Sequence, residues 1–178
     1  MSDSRGTKQP PTVDSQGERI APVPEGVIFR DLVTHVDGRG WLLELFNPLW
    51  KWHPAPLAHA YAFTVRPGVI KGWGRHVRTE DRYAVLFGEA MLVLHDAREE
   101  SPTMGLTAEI PLSDFRRRLV SIPAGVWHAL ACVGDRDFVG INFKTEPFDH
   151  ADPDKYTLPL DTDQIPYDFS RLRARGTP

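Results

Sequence analysis

Short apolar runs alternate with turn signals along most of this chain. Nine segments have the length and the β-branched or aromatic composition of strands: GVIFRDLV, GWLLELF, AHAYAFTV, AVLFG, AMLVLHD, LTAEIPL, RRLVSI, VWHALACV and FVGINFKT. The breaks between them contain glycine, proline and aspartate, as in DGRG, RPG, FGE, PAG and GDRD. Only NPLWKW and LSDF are suited to short helical turns. The pattern predicts an all-β protein with few short helices, and a double-sheet jelly roll is the leading candidate.

The two ends of the chain differ in composition from the middle. Residues 1–22 are polar and rich in proline, glycine and serine, so they cannot bury enough apolar surface to offset their ordering entropy. We expect a mobile arm there, and an arm that adds an edge strand to a partner subunit is the alternative. Residues 170–178 are basic and are expected to fray. Residues 23–169 then form a single jelly-roll domain.

Composition excludes several classes of function. The hydrophobic fraction of 41% and the charged fraction of 25% are ordinary for a soluble globular chain. A formal charge of −3 provides no basic surface for nucleic acid. The single cysteine, Cys132, excludes an internal disulfide and fits a reducing compartment. No apolar run is long enough to span a membrane, and the N-terminus has no signal-peptide pattern, so we predict a cytoplasmic protein.

One predicted strand suggests a lined cavity. In AHAYAFTV, the larger side chains of His59, Tyr61 and Phe63 share one face, and three alanines share the other. The larger residues either face solvent or a subunit interface, or they line a cavity that a barrel offers to a ligand. This strand alone leaves both interpretations open.

The segment SIPAGVWHAL resembles the second sequence motif of the cupin superfamily, in which a Pro-x-Gly turn is followed by a histidine, here His128. The stretch that contains His76 and runs to Gly88 resembles the first cupin motif. In metal-binding cupins the first motif supplies two histidines and a glutamate. Here Arg78 stands at the second histidine position, and a cation opposes binding of a divalent metal. We therefore predict no bound metal and no other cofactor.

A closer resemblance covers nearly the whole chain. Four ordered segments are similar to motifs of the dTDP-4-dehydrorhamnose 3,5-epimerase family: VDGRGWLLELFN, VIKGWGRH, FGEAMLVLHDAREESPTMG and LSDFRRRLVSIPAGVWHAL. INFKTEPF stands where the family has Tyr-Lys-Thr-Thr. The resemblance implies a metal-free jelly roll that forms a homodimer. It also implies an enzyme that epimerises a nucleotide-linked 4-keto-6-deoxyhexose by moving protons next to the ketone.

The resemblance also assigns roles to individual residues. His76 would be the base, because imidazole accepts a proton near neutral pH. The residues that would help to hold the nucleotide sugar are Arg39, Glu44 and Lys71, and a cation is suited to a diphosphate. His128 would project into the same barrel, and His59 shares the strand face of Tyr61.

Two departures from the family pattern affect the chemistry. Phe143 occupies the position of the family's acidic tyrosine, and phenyl cannot donate a proton. The lysine that follows the catalytic histidine is absent, and Asp81 is nearest to its position, with Arg82 beside it. We expect Arg82 to stabilise an enolate. Tyr61 is the candidate acid, and Tyr83 is the alternative.

The sequence thus predicts an epimerase or isomerase of a nucleotide-linked 4-keto-6-deoxy sugar, acting in deoxysugar or surface-polysaccharide biosynthesis. Two other functions remain open. One is a catalytically silent cupin that binds a sugar nucleotide. The other is a metal-dependent cupin that acts on a small acid.

Overall fold

The computed structural model describes residues 7–8 and 10–173. It contains twelve strands, a single turn of 3-10 helix at Pro48–Trp50 and one short helix, α1, at Ser170–Arg173. The strands are β1 Ile28–Asp31, β2 Thr34–Asp37, β3 Gly40–Leu43, β4 His59–Val65, β5 Ile70–Arg75, β6 Asp81–Phe87, β7 Glu89–Asp96, β8 Thr107–Ser113, β9 Arg118–Ile122, β10 Val126–Cys132, β11 Phe138–Lys144 and β12 Tyr156–Thr157.

The strands form two five-stranded antiparallel sheets and a separate hairpin. The first sheet has the order β1-β9-β6-β11-β4, the second has the order β12-β5-β10-β7-β8, and β2 pairs only with β3. The two large sheets pack their apolar faces together, as a jelly roll does. The predicted all-β jelly roll with few short helices is confirmed.

Strand alternation places the core between the sheets. Residues that point inward include Val85, Leu92, Ile110, Val120 and Phe138, each at most 1% exposed. Their neighbours in sequence point outward, where residues 43–52 cover the first sheet and residues 158–172 cover the second. Each large sheet is therefore apolar on both faces, which explains the nearly continuous apolar runs in the sequence.

The strand β5 is absent from the sequence prediction because Gly72 and Gly74 interrupt its apolar pattern. Gly72 has φ +143°, and a Cβ at this position would lie 2.5 Å from the Cβ of Ala129 on the neighbouring strand. The close approach of the two backbones therefore requires glycine. The inner surface of β5 is therefore open at Gly72 and Gly74, which both line the cavity described below.

The sequence predicts a mobile arm at residues 1–22 and a frayed tail at residues 170–178. Residues 1–6, 9 and 174–178 lie outside the described part. Within it, Asp14 accepts backbone hydrogen bonds in a turn, and Arg19 donates to the carbonyl of Glu109 on β8. At the other end, Leu172 of α1 is buried against the second sheet. None of the described helices is long and apolar enough to cross a membrane.

Candidate active site

A cavity of about 460 Å³ opens between the two sheets at one end of the core. The first sheet contributes Tyr61, Phe63 and Tyr83 to its wall. The second sheet contributes Lys71, Gly72, Trp73, Gly74, His128, Leu130 and Thr157, and Lys155 precedes β12 at the rim. Along β6 and β11 the inward side chains change from apolar to polar toward this end, and His128 is the polar inward residue of β10. The strand face of His59, Tyr61 and Phe63 therefore points inward, which decides the question that the sequence left open.

A buried carboxylate lies beside this cavity. Asp81, at the start of β6, is 2% exposed. Its Oδ2 atom lies 3.4 Å from Nε2 of His76 and 3.4 Å from Nε2 of His128. Its Oδ1 atom lies 3.2 Å from the ammonium of Lys144, which is also buried. One carboxylate thus connects two imidazoles and a lysine inside the barrel.

The charged form of Asp81 is strongly favoured. Burial would raise the pKa of this carboxyl, but the hydrogen bond with His76 and the charges of His128, His76 and Lys144 outweigh that effect. The pKa of Asp81 is therefore far below its ordinary value. Burial lowers the pKa of His128, and the attraction of Asp81 opposes this only in part. At neutral pH the Asp81 carboxylate is therefore anionic, and the lowered pKa of His128 favours the neutral form of its imidazole.

His76 is held by a loop that follows β11. Its Nδ1 atom contacts the carbonyl oxygen of Asp154. The carboxylate of Asp154 accepts from the backbone N–H groups of Val77, Arg78 and Thr79, each at 2.9 Å. Burial would raise the pKa of Asp154, but these backbone hydrogen bonds lower it to about 2. The loop therefore fixes the orientation of His76 and the path of the chain after it.

Tyr61, Asn142 and Tyr83 lie side by side because strands β4, β11 and β6 pair in register at these residues. The Asn142 amide donates to the hydroxyl of Tyr61 and to Oδ1 of Asp81, at 2.9 Å each. Tyr83 donates its own hydroxyl proton to Oδ2 of Asp81 at 3.1 Å. Burial and the charge of Asp81 raise the pKa of both tyrosines, so both stay protonated.

The structure gives Arg82 a different place from the expected one. Its neighbours Asp81 and Tyr83 point inward, so Arg82 points outward, where it is fully buried. Its guanidinium donates to the carbonyls of Ala55, Pro56, Phe143 and Lys144. With its donors used in this way and its side chain outside the cavity lining, Arg82 anchors residues 55–56 and is not positioned to stabilise an enolate.

The other predicted site residues separate into two groups. Lys71 and His128 line the cavity, and the ring of His59 lies 5.6 Å from that of Tyr61, beyond the lining residues. Arg39 is in the turn of the β2–β3 hairpin and pairs with Asp37 at 2.5 Å. Glu44 follows the hairpin and accepts from Asn47 at 2.6 Å. Neither Arg39 nor Glu44 lines the cavity of its own chain.

Phe143 also faces outward. It is buried against Phe46, with ring centroids 5.6 Å apart. A tyrosine hydroxyl on this side chain would lie outside the barrel. The inward positions on this strand belong to Asn142 and Lys144, so the lack of a hydroxyl at residue 143 removes nothing from the cavity.

Three of these residues could hold a metal ion. Ligand atoms of His76, Asp81 and His128 lie within 4.8 Å of one another. Two imidazoles and a carboxylate suit a divalent transition metal. Lys144 competes for this position, because its ammonium is 3.2 Å from Asp81 and 3.3 Å from Nε2 of His76. The sequence predicts no bound metal because of Arg78, but in the structure Lys144 is the cation that opposes a metal at this position. The absence of a metal stays a prediction.

Sequence reasoning missed Asn142 and Lys144 and gave Asp81 no role. A signal was present in the strand period. Phe138 is an obvious core residue, and residues at even spacing from it, such as Asn142 and Lys144, must share its inward face. Likewise Asp81 shares a face with the apolar Val85. Polar side chains at core-facing positions are the pattern that identifies this end of the barrel.

Comparisons with known proteins agree with this architecture. Residues 35–156 match the model of the polysaccharide biosynthesis C-terminal domain family. The chain is 32% identical to a protein of Haloferax volcanii named as a probable low-salt glycan biosynthesis epimerase, Agl13, over 79% of this chain and 91% of that protein. A solved dTDP sugar isomerase from Desulfovibrio desulfuricans is 28% identical, with a TM-score of 0.76 over 82% of this chain and 92% of the other.

The dTDP-4-dehydrorhamnose 3,5-epimerase of Sulfolobus tokodaii has the same fold, with 21% identity and a TM-score of 0.67 over 79% of this chain and 81% of that one. The resemblance found in the sequence motifs is therefore confirmed at the level of the family. This chain belongs to the polysaccharide biosynthesis C-terminal domain family and shares its jelly-roll fold with the dTDP-4-dehydrorhamnose 3,5-epimerases.

Proposed function

We propose that this protein is a cytoplasmic epimerase or isomerase of a nucleotide-linked 4-keto-6-deoxy sugar in deoxysugar or surface-polysaccharide biosynthesis. One observation carries the proposal. Two imidazoles share a buried carboxylate at a cavity whose facing wall carries a tyrosine hydroxyl. Proton removal and return at a carbon next to a ketone uses a base and an acid, and these groups can supply both. The family and the named relatives support the same reaction class.

The reaction has a simple balance of atoms and electrons. A C–H bond next to the ketone breaks, its proton moves to an imidazole, and its electron pair forms the C=C bond of an enolate. The negative charge on the enolate oxygen requires a cation or hydrogen-bond donor. Lys71 is our candidate, because it lines the cavity. Lys155 at the rim supplies a second positive charge for the diphosphate.

Tyr61 is the better candidate for the acid. Its oxygen accepts a hydrogen bond from Asn142, so its own O–H proton is free to point at a substrate. The proton of Tyr83 is committed to Asp81. Tyr61 lies on the first sheet, whereas the cavity-lining imidazole of His128 lies on the second. An acid and a base on opposite walls are suited to inversion at a carbon between them.

Incubation with dTDP- or UDP-linked 4-keto-6-deoxyhexoses in deuterated water tests the proposed function. We expect deuterium to enter a carbon next to the ketone, as measured by NMR or mass spectrometry, because exchange requires only a base and an enolate stabiliser. Binding without exchange for every sugar would favour a silent sugar-nucleotide-binding cupin. Absence of binding, together with tight binding of a divalent metal, would favour a cupin that acts on a small acid.

We also propose a homodimer, formed through the β2–β3 hairpin. This hairpin is not hydrogen-bonded to the strands of either large sheet and exposes apolar side chains on both of its faces, with Val36 77% and Leu42 63% exposed. Such a surface is typical of an interface. Arg39 and Glu44 do not line the cavity of their own chain, so we expect them to contact the substrate bound by a second copy of the chain.

Light scattering at micromolar concentrations should give the mass of a dimer for the wild-type protein. Leu42→Lys should shift the mass toward that of a monomer, because it places a charge in the apolar contact. Met104→Lys is the matched control, since Met104 is 60% exposed but lies in the loop between β7 and β8. A monomeric wild type, or an equal effect of both variants, would contradict this interface.

A further inference from the structure

We propose that His128, and not His76, is the base that takes the proton from the substrate, with His76 as a positioning residue behind it. The inference rests on the proposed function and specifies which of the two imidazoles meets the sugar. The sequence motifs point to His76, so the assignment depends on tertiary geometry alone.

Both ring nitrogens of His76 are occupied. Nδ1 contacts the carbonyl oxygen of Asp154, and because a carbonyl only accepts, this nitrogen carries the proton. Nε2 lies 3.3 Å from the ammonium of Lys144 and 3.4 Å from the carboxylate of Asp81. When His76 is neutral, the lone pair of Nε2 accepts from this ammonium, and when His76 is protonated, Nε2 donates to Asp81. The ring is 8% exposed and is not part of the cavity wall. His76 therefore has no free lone pair directed at a substrate.

His128 shares the 3.4 Å contact with Asp81 but differs from His76 in its position. Its ring lines the cavity. Its Nδ1 atom lies 3.3 Å from the carbonyl of Val126, which places the proton on Nδ1 and the lone pair on Nε2. Burial lowers the pKa of this imidazole, so the neutral form that can accept a proton is favoured. His76 stacks against it, with ring centroids 5.8 Å apart, and so limits the movement of the His128 ring.

Gly74 gives a substrate access to Nε2. A Cβ at residue 74 would lie 3.5 Å from Nε2 of His128, and 4.0 Å from the two carbons beside it. Gly74 lines the cavity next to His128 and pairs with it across β5 and β10. The absence of a side chain at this position therefore leaves room for a sugar carbon beside the accepting nitrogen.

The surroundings of His128 also suit the product of the proton transfer. When the substrate C–H bond breaks, the proton forms an Nε2–H bond, and the resulting imidazolium has the Asp81 carboxylate at 3.4 Å. This anion stabilises the positive charge that appears on the ring. The other groups that face His128 are Tyr83, which stays protonated, and the cations of Lys144 and His76 when protonated. The Nε2–H proton exchanges with a solvent deuteron, and transfer of that deuteron to the enolate carbon returns His128 to its neutral state.

Deuterium wash-in with the dTDP- and UDP-linked 4-keto-6-deoxyhexoses distinguishes the two imidazoles. A general base contributes about a hundredfold to ten-thousandfold in rate, so His128→Gln should reduce exchange by at least about a hundredfold. His76→Gln should reduce exchange much less, because it removes a positioning contact and leaves the base in place. It should also move the acidic limb of the pH–rate profile upward, because removing a neighbouring cation raises the pKa of His128. The opposite pattern, with exchange lost only in His76→Gln, would overturn the assignment.

A second variant keeps the test decisive if His128→Gln does not fold. Gly74→Ala places a methyl group beside Nε2 at an ordinary contact distance, and Gly74 does not have a positive φ. We expect slower exchange with an unchanged thermal midpoint. Gly134→Ala is the control, since its Cβ would also have its nearest contact at 3.5 Å, but with Glu89, outside the cavity. Full exchange in Gly74→Ala would contradict the proposal. If the wild type exchanges with none of the sugars, the proposed function fails first.

Discussion

Tyr61→Phe is expected to abolish inversion at the reacting carbon and to leave deuterium exchange nearly intact. Exchange needs a base and an enolate stabiliser, and the deuteron returns on the same face. Inversion also needs a donor on the opposite wall, where Tyr61 has a free O–H proton and Tyr83 does not. Loss of a general acid costs about a hundredfold to ten-thousandfold in rate, so the two activities should separate clearly.

NMR can measure both activities in one incubation, from the deuterium content and the configuration of the sugar. Tyr156→Phe is the matched control, because Tyr156 lies on β12 between two residues of the cavity wall but is not part of it. Its hydroxyl should be dispensable for both activities. Retention of inversion in Tyr61→Phe would exclude Tyr61 as the acid. Loss of exchange as well would show that Tyr61 acts on the enolate.

Asp81→Ala should destabilise the fold by about 3–5 kcal/mol, because it leaves the buried ammonium of Lys144 without its anion. Chemical denaturation measures the free energy of unfolding directly. In a double-mutant cycle, Lys144→Met should recover part of the loss, since it removes the unpaired charge. If Asp81→Ala lowers the free energy of unfolding equally with and without Lys144→Met, the unpaired ammonium of Lys144 is not the cause of the loss.

The same carboxylate predicts a pH dependence of stability. The pKa of Asp81 is lower in the folded than in the unfolded protein, where a carboxyl of this kind has a pKa of about 3.9. Its stabilising contribution is therefore fully present above that value and is lost as the pH falls through it toward the folded pKa. Asp81 also raises the pKa of His128, so the contribution of the carboxyl itself is read below about pH 4, where the difference in unfolding free energy between the wild type and Asp81→Asn should shrink. A difference that grows in acid would contradict this sign.

The sequence by itself determined the class of fold and the family. Alternating apolar runs separated by glycine and proline require strands and turns, and ordered motifs around Arg39, His76 and His128 identified the relatives. These signals are local: each depends on a residue and its neighbours along the chain. The two-residue period of a strand is also a local signal, and it was sufficient to place Tyr61 and Phe63 on one face.

Only the tertiary structure decided which polar groups meet. Asp81, His128 and Lys144 come from three strands in two sheets, and no spacing along the chain shows that the carboxylate contacts the other two side chains. Alternation reverses with each residue, so Arg82 and Phe143, which the motifs placed in the site, point out of the barrel, whereas Asn142 points in. Long-range packing brings the two sheets face to face, and this places Tyr61 opposite His128 across the cavity.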